Sequence, residues 1–405
     1  MPNIAAAIPT YVQTVLNTLS RAGKRGYLVG GSLRDLLRGK APHDFDLTAN
    51  ATPNEMLEIF GDFRVIPTGL AHGTVTVLCE GQPVEITTHR TDGTYTDSRH
   101  PDSVCFTNDL REDLARRDFT VNAMAWSADT GLVDLFGGQE DLANGILRAV
   151  GDPVVRFTED ALRILRCFRF AAQLDFTVDE NTAAGAAACA ARLGDIAVER
   201  IFSELARTVV SPAAEKGLLG MQGAGCTPFV FFDTVPDFSM LSPLQELPPE
   251  AALRIAALLH EKNAEEVRDL ARRWHAPNAF LDSILAYLAI LNDALPQTLY
   301  EARRFVCTHH PYFDNGLLLR AALLGEDVSE ARALTKKVLR DGTATEIRRL
   351  AVNGKELQER VGVRPEKTAV LLRLLQDAVW QAPEKNRREA LLLEARRICE
   401  KEDFT

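Results

Sequence analysis

Two carboxylates stand one residue apart in His43-Asp44-Phe45-Asp46-Leu47-Thr48. Read as a strand, this segment turns Asp44 and Asp46 to one face and Phe45 and Leu47 to the other. Acids that close repel each other unless a cation lies between them, and a hard-oxygen donor set of this kind suits Mg2+. Two such ions bracketing an in-line displacement would stabilise both the attacking and the leaving oxygen. A surface Asp-x-Asp turn has the same pattern, so the pair takes its meaning from what surrounds it. Upstream, Tyr27-Leu28-Val29-Gly30-Gly31-Ser32-Leu33-Arg34-Asp35 reads as a short apolar strand, two glycines and an amphipathic segment. Gly30 and Gly31 at a strand-to-helix turn would let backbone amides approach a phosphate, and a helix start favours negative charge. Glu85, within Pro83-Val84-Glu85-Ile86-Thr87, is a candidate third carboxylate; a solvent-facing glutamate on an edge strand is the alternative.

Farther along, Phe157 to Leu174 (FTEDALRILRCFRFAAQL) has helical spacing. Thr158 is expected as its cap, Glu159 and Asp160 as acids opposing the N-terminal dipole, and Phe157 with Leu162 as a hydrophobic staple. Asp160 and Arg163 would then be i,i+3 neighbours able to meet on the surface. One reading is a helix-stabilising salt bridge beside a solvated basic stripe. The other is a template for a base, the carboxylate accepting from exocyclic amines and the guanidinium donating to ring nitrogens or O2, as cytosine and adenine require.

In order, Gly30-Gly31-x-x-Arg34-Asp35, Asp44-x-Asp46, Arg116-Arg117-Asp118-Phe119-Thr120-Val121-Asn122-Ala123, Glu159-Asp160-x-x-Arg163-x-x-Arg166-x-x-Arg169-Phe170, Glu199-Arg200-Ile201 and Ala351-Val352-Asn353-Gly354-Lys355 run the length of the chain. Together they resemble the class of tRNA nucleotidyltransferases and poly(A) polymerases found in bacteria and eukaryotes, within the DNA polymerase β superfamily. The resemblance implies transfer of nucleotides from CTP and ATP to the tRNA 3′ end with release of pyrophosphate. It implies Asp44 and Asp46 as catalytic carboxylates holding Mg2+, beside which Glu85 is the candidate third catalytic carboxylate. Gly30, Gly31, Arg34, Arg117 and Asn122 would bind the nucleotide, as would Glu159, Asp160, Arg163, Arg166 and Arg169. Within that set Asp160 and Arg163 would choose the base, while Arg166 and Arg169 would contact the triphosphate or the primer. Between the third carboxylate and the second motif, Thr87 to Pro101 is polar and rich in Gly and Thr, as a mobile loop would be. In the family such a loop accompanies addition of the terminal A, so full CCA addition is expected. An enzyme adding only A or only CC, a bacterial poly(A) polymerase, or an idle RNA-binding relative remain the alternatives.

These side chains need a scaffold. Short β-type runs (YLVGG, FDLT, TVTVLC, PVEITTH, FTVNAMAW) occupy the first 150 residues, and beyond Pro153 the chain turns Ala-, Leu-, Arg- and Glu-rich with helical periodicity. The expected class is α+β: a mixed α/β head at 1–150 with a β-sheet, then an all-α neck (151–210), body (211–300) and tail (301–405). Of the 405 residues 46% are hydrophobic and 25% charged, ordinary globular values. The net charge of −10 argues against a nucleic-acid partner, but basic residues cluster at 156–169 and through the C-terminal third, where a local stripe could hold RNA. Seven scattered cysteines without Cys-x-x-Cys spacing read as reduced thiols, and with no signal-like or membrane-length apolar stretch the expected location is cytoplasmic. No stable protein partner is implied. His260-Glu261 and His309-His310 read as ordinary surface or core residues.

Overall fold

The computed structural model describes residues 4–70, 73–92, 104–343 and 345–401. They form two compact units, Met1–Val235 with Arg272–His275, and Pro236–Ala271 with Ala276–Thr405. Among the described residues no helix is long and apolar enough to cross a membrane.

The first unit is built on a sheet. Its strands are β1 (Gly26–Val29), β2 (Asp46–Ala49), β3 (Arg64–Gly69), β4 (Thr74–Cys79) and β5 (Gln82–Thr88). A separate hairpin, β6 (Arg90–Asp92) against β7 (Val104–Phe106), follows, and then β8 (Met124–Ser127) and β9 (Gly131–Asp134). Seven strands pair in the order β3-β4-β5-β2-β1-β8-β9. Within this sheet, among the described residues, only β2 and β5 pair in parallel, with Asp46 opposite Glu85. Glu85 therefore lies on an interior strand of the sheet rather than an edge.

Alternation drives the strands, as in β4, where Val75, Val77 and Cys79 are buried and the residues between them are not. Helix α1 (Thr10–Arg21) covers the sheet with Val12, Val15 and Leu19, spaced to fall on one helical face and all fully buried. The run FTVNAMAW is not one strand: Thr120–Asn122 make a 3-10 turn, and β8 begins only at Met124. Of the expected loop at 87–101, Thr87 and Thr88 belong to β5 and Arg90–Asp92 to β6, while residues 93–101 lie outside the described residues.

The helices that bear on the site are α2 (Gly30–Leu37), α3 (Leu110–Ala115), α4 (Pro153–Glu159), α5 (Leu162–Leu174) and α6 (Val198–Val209). Past Pro153 the secondary-structure elements of the described residues are helices except for β11 (Thr177–Val178), which pairs with β10 (Ile146–Leu147).

Every secondary-structure element among the described residues of the second unit is helical. Near the C-terminus α7 (Gly354–Val361), α8 (Pro365–Gln381) and α9 (Arg388–Lys401) enclose a core of Leu357, Leu371, Leu375, Val379, Leu391 and Ala395. Asn353-Gly354 is a helix start rather than a turn: the Asn353 side chain accepts from the Glu356 amide. A methyl on Gly354 would meet Thr368 Cγ2 at 2.9 Å, so glycine lets α7 lie close against α8.

Candidate active site

Strand β1 ends at Val29 and α2 begins at the next residue, a reversal made possible by Gly30 at φ +69°. A side chain there would come to 3.5 Å from Arg117 Nη1 and 3.8 Å from an Asp46 oxygen, so bare backbone faces a carboxylate and a guanidinium together. Gly31, likewise without a side chain, lies beside the Arg34 guanidinium.

Asp46 opens β2, paired with Val29 on one side and Glu85 on the other. Phe45 and Leu47 are buried in the core as alternation requires, but Asp44 sits in the bend just before the strand. Burial pushes the Asp46 carboxyl up to about 6, with Asp44 and Glu85 adding repulsion and Arg117 partly offsetting it. A half-buried acid flanked by two others is an environment that a divalent cation relieves.

Two arginines face these acids from the end of α3. Arg116 donates to Asp113 Oδ1 through Nε (3.1 Å) and Nη2 (2.8 Å), and Arg117 Nη2 donates to Oδ2 (3.1 Å). Burial alone would raise the Asp113 carboxyl, but Arg117 and Arg116 outweigh it and hold it at about 2. Behind them runs a chain of hydrogen bonds. Arg166 donates to Asp118 Oδ2 at 2.6 and 3.0 Å, Asn122 donates to Oδ1 at 3.1 Å, and Arg34 donates to Asn122 at 2.8 Å. Arg34, Arg166 and Arg169 all carry their guanidiniums over the Phe170 ring, Arg169 at 3.8 Å from its centre. Arg169 is fixed from behind by Glu204 and Gln173.

The segment expected as one helix from Thr158 is two. Asp152, not Thr158, caps α4; the backbone breaks at Asp160 (φ −140°, ψ 103°), and α5 starts at Leu162, whose amide donates to Asp160 Oδ1 at 3.0 Å. Asp160 and Arg163 are thus not i,i+3 neighbours on one helix. Asp160 Oδ2 lies 3.7 Å from Arg200 on α6, and Arg163 donates to Glu159 (2.8 Å) and to the Arg116 carbonyl (3.0 Å). The break arises because a short acidic side chain can satisfy the next helix's free amide from outside it, which competes with continuing the helix.

One cleft of about 560 Å³ collects most of the expected residues. Gly30, Gly31, Arg34, Asp44 and Asp46 form one wall, and Arg117, Asn122, Asp160, Arg163, Arg166 and Arg169 the others. Glu85 opens instead onto an adjoining cavity of about 240 Å³ that shares Asp46, Arg116 and Arg117. Glu159 stands behind the wall as a partner of Arg163 and Arg156. Arg117 and Arg200 both line the cleft, and Arg117 Nε and Arg200 Nη1 are buried without a hydrogen-bond partner among the described residues. Sequence reading passed over Asp113, Asp118 and Phe170 as functional positions. Asp113 was legible in principle, since it precedes Arg116 and Arg117 by three and four residues on one helix.

Within the second unit Asp237, His260 and Glu261 each bring a ligand atom within 4.8 Å of the others. Asp237 also caps Ser239, and His260 Nδ1 lies 3.1 Å from the Ala257 carbonyl oxygen, local contacts that orient both side chains.

Residues 26–148 match the family model of the poly A polymerase head domain, and 175–239 match a probable RNA- and SrmB-binding site of polymerase A. The CCA-adding enzyme of Lactococcus lactis subsp. cremoris MG1363 is 35% identical over 408 residues, covering 96% of each chain. That of Enterococcus faecalis V583 is 34% identical over 400 residues, 93% of each. The crystal structure of the Bacillus stearothermophilus CCA-adding enzyme in complex with CTP superposes with a TM-score of 0.82 at 30% identity, over 96% of this chain and 98% of that one. With its mixed-sheet head, helical remainder and a cleft of acids and arginines, the chain belongs to the family of CCA-adding tRNA nucleotidyltransferases.

Proposed function

We propose that the chain builds the whole CCA terminus of tRNA, using CTP and ATP, and that base choice is made by protein side chains. The observation that carries this reading is the convergence, in one cleft, of Asp44 and Asp46 with the four guanidiniums of Arg34, Arg117, Arg163 and Arg166. The donor set fits Mg2+, since Asp46 is largely buried and crowded by Asp44 and Glu85, and burial first and these charges second raise its carboxyl. Bound there by Asp44 and Asp46, Mg2+ would neutralise charge on the triphosphate and on the attacking oxygen. Gly30 and Gly31 leave backbone open to the phosphates. Arg117 places positive charge beside Asp46, and the Arg34–Asn122–Asp118–Arg166 chain keeps two more cations from drifting when the cleft is empty. Catalysis on this reading is positioning and preset electrostatics.

Asp160 and Arg163 form the base-reading pair although they stand on either side of a helix break. Each is anchored separately, Asp160 by the Leu162 amide and Arg200, Arg163 by Glu159 and the Arg116 carbonyl. Anchored groups of this type match the edge of C or A and leave U or G with unpaired donors and acceptors. The neck at 151–210 carries the nucleobase-selecting helices, and the body (211–300) and tail (301–405) hold tRNA by shape and backbone charge, a role supported in the tail by exposed Arg340, Arg348 and Lys355.

The test is extension of tRNA transcripts lacking CCA, ending in C, ending in CC, and complete, with CTP and ATP offered singly and together. Stepwise addition of C, C and A that then stops is the expected result. Extension by A alone would reduce the chain to an A-adding or poly(A)-forming enzyme, and no extension would remove the enzymatic reading altogether.

A further inference from the structure

The geometry points to Asp113 as a positioning residue of the nucleotide site, a role that rests on Arg117 binding the triphosphate as proposed above. Asp113 is fully buried and touches neither the carboxylates nor the cleft surface. Its two oxygens nonetheless gather contacts from four directions. Oδ1 takes both donors of Arg116 and, at 3.4 Å, the backbone amide of Arg90. Oδ2 takes Arg117 Nη2 at 3.1 Å and the hydroxyl of Thr48 at 3.2 Å. Thr48 lies on β2 two residues beyond Asp46, and its hydroxyl is also 2.8 Å from His89 Nδ1. One carboxylate therefore ties the strand that carries Asp46, the residue that opens the β6–β7 hairpin, and both arginines at the end of α3.

The consequence for chemistry follows from where Arg117 points. Its Nη1 borders Gly30 beside Asp46, and its Nε is a buried donor with no hydrogen-bond partner among the described residues. A guanidinium left to itself would turn toward the neighbouring Asp46 carboxylate and close the space a phosphate needs. Asp113 competes for the opposite edge of the same guanidinium, in a charge-assisted bond about twice as strong as a neutral one. Arg117 is thereby held at the cleft wall with Nη1 beside Gly30 and Asp46, and the cost of ordering it is met before nucleotide arrives. Arg116, held by two bonds to the other oxygen, borders both the cleft and the adjoining cavity on the Glu85 side.

The experiment is a double-mutant cycle on the full chain with Asp113→Asn, Arg117→Ala and the pair, reading KM and kcat for CTP on a tRNA transcript lacking CCA, with melting temperatures alongside. Asp113→Asn should raise KM for CTP by about tenfold or more, the loss expected for a charge-assisted contact, with a smaller fall in kcat and unchanged affinity for tRNA. In the Arg117→Ala background the same change should shift KM less than about twofold, because the group it positions is gone. A structural role alone would lower the melting temperature in both backgrounds and leave KM in place, and that result overturns the inference. So does full additivity of the two KM effects. If Arg117→Ala itself leaves KM for CTP unchanged, the assignment of Arg117 to the triphosphate fails instead, which separates the two claims. Should Asn at 113 prevent folding, Asp113→Glu carries the same test: charge is kept, the carboxylate moves by one methylene, and an intermediate rise in KM that disappears in the Arg117→Ala background is expected.

Discussion

Replacing Asp46 by asparagine should abolish turnover and, in metal-free protein, make the chain more stable. In the folded state burial first, then the charges of Asp44 and Glu85, raise the Asp46 carboxyl to about 6, against the partial pull of Arg117. In the unfolded chain an aspartate titrates near 3.9. The native state therefore retains a proton that the unfolded state releases between these values. Stability from this group is fully present below about pH 4 and is lost as pH rises through about 6. The difference, about two pK units at 1.36 kcal/mol each, amounts to about 3 kcal/mol of destabilisation at pH 8. Asp46→Asn keeps the shape and removes the charge, so in EDTA at pH 8 it should gain about 2–3 kcal/mol, or several degrees in Tm at about 2–4 °C per kcal/mol. The gain should shrink to near zero at pH 4. Mg2+ should reverse the order by stabilising the parent and not the variant. Urea and thermal unfolding at pH 4, 6 and 8, with EDTA or Mg2+, give the numbers, and tRNA extension gives the activity, expected to fall at least about a thousandfold. An asparagine variant no more stable than the parent at pH 8 in EDTA, or a gap that does not depend on pH, would refute the account of a buried Asp46 carboxyl crowded by two other acids.

Asp118 is the opposite case. Burial would raise its carboxyl, but Arg166 outweighs that and holds it at about 2, so its contribution of roughly 2–3 kcal/mol is present above about pH 4 and disappears as pH falls through 2; urea unfolding of Asp118→Asn should show that loss at pH 7 and little difference in strong acid. Gly30→Ala should cost about 1–2 kcal/mol of stability from its positive φ, and the methyl beside Arg117 and Asp46 should depress kcat/KM for CTP and ATP alike. Asp160→Ala should blur the choice between C or A and U or G before it slows extension. Competition between CTP and UTP on one transcript reads this directly, and equal loss with all four nucleotides would count against a protein template.

Features set by near neighbours were legible in the chain. Alternation around Asp44-Phe45-Asp46 put Phe45 and Leu47 in the core, and two glycines between an apolar strand and an amphipathic segment marked the turn at Gly30. Helical periodicity past Pro153 announced the helical remainder. Less legible was the break at Asp160: the segment has the composition of one continuous helix, and the choice of a second start at Leu162 is made by a single side-chain bond and by what Asp160 meets on α6.

The sequence by itself determined which chemical groups exist and which of them stand on common faces, because side-chain direction along a strand or helix repeats over two to four residues. Tertiary structure alone decided that Glu85 lies opposite Asp46, since two strands intervene between β2 and its parallel partner. It decided that Arg34 would be held by Asn122, 88 residues away, and that Asp113 would be buried beneath both arginines. The charge on Asp46 and the reach of Arg117 depend on distances and burial, which pairing and packing set and local spacing does not contain.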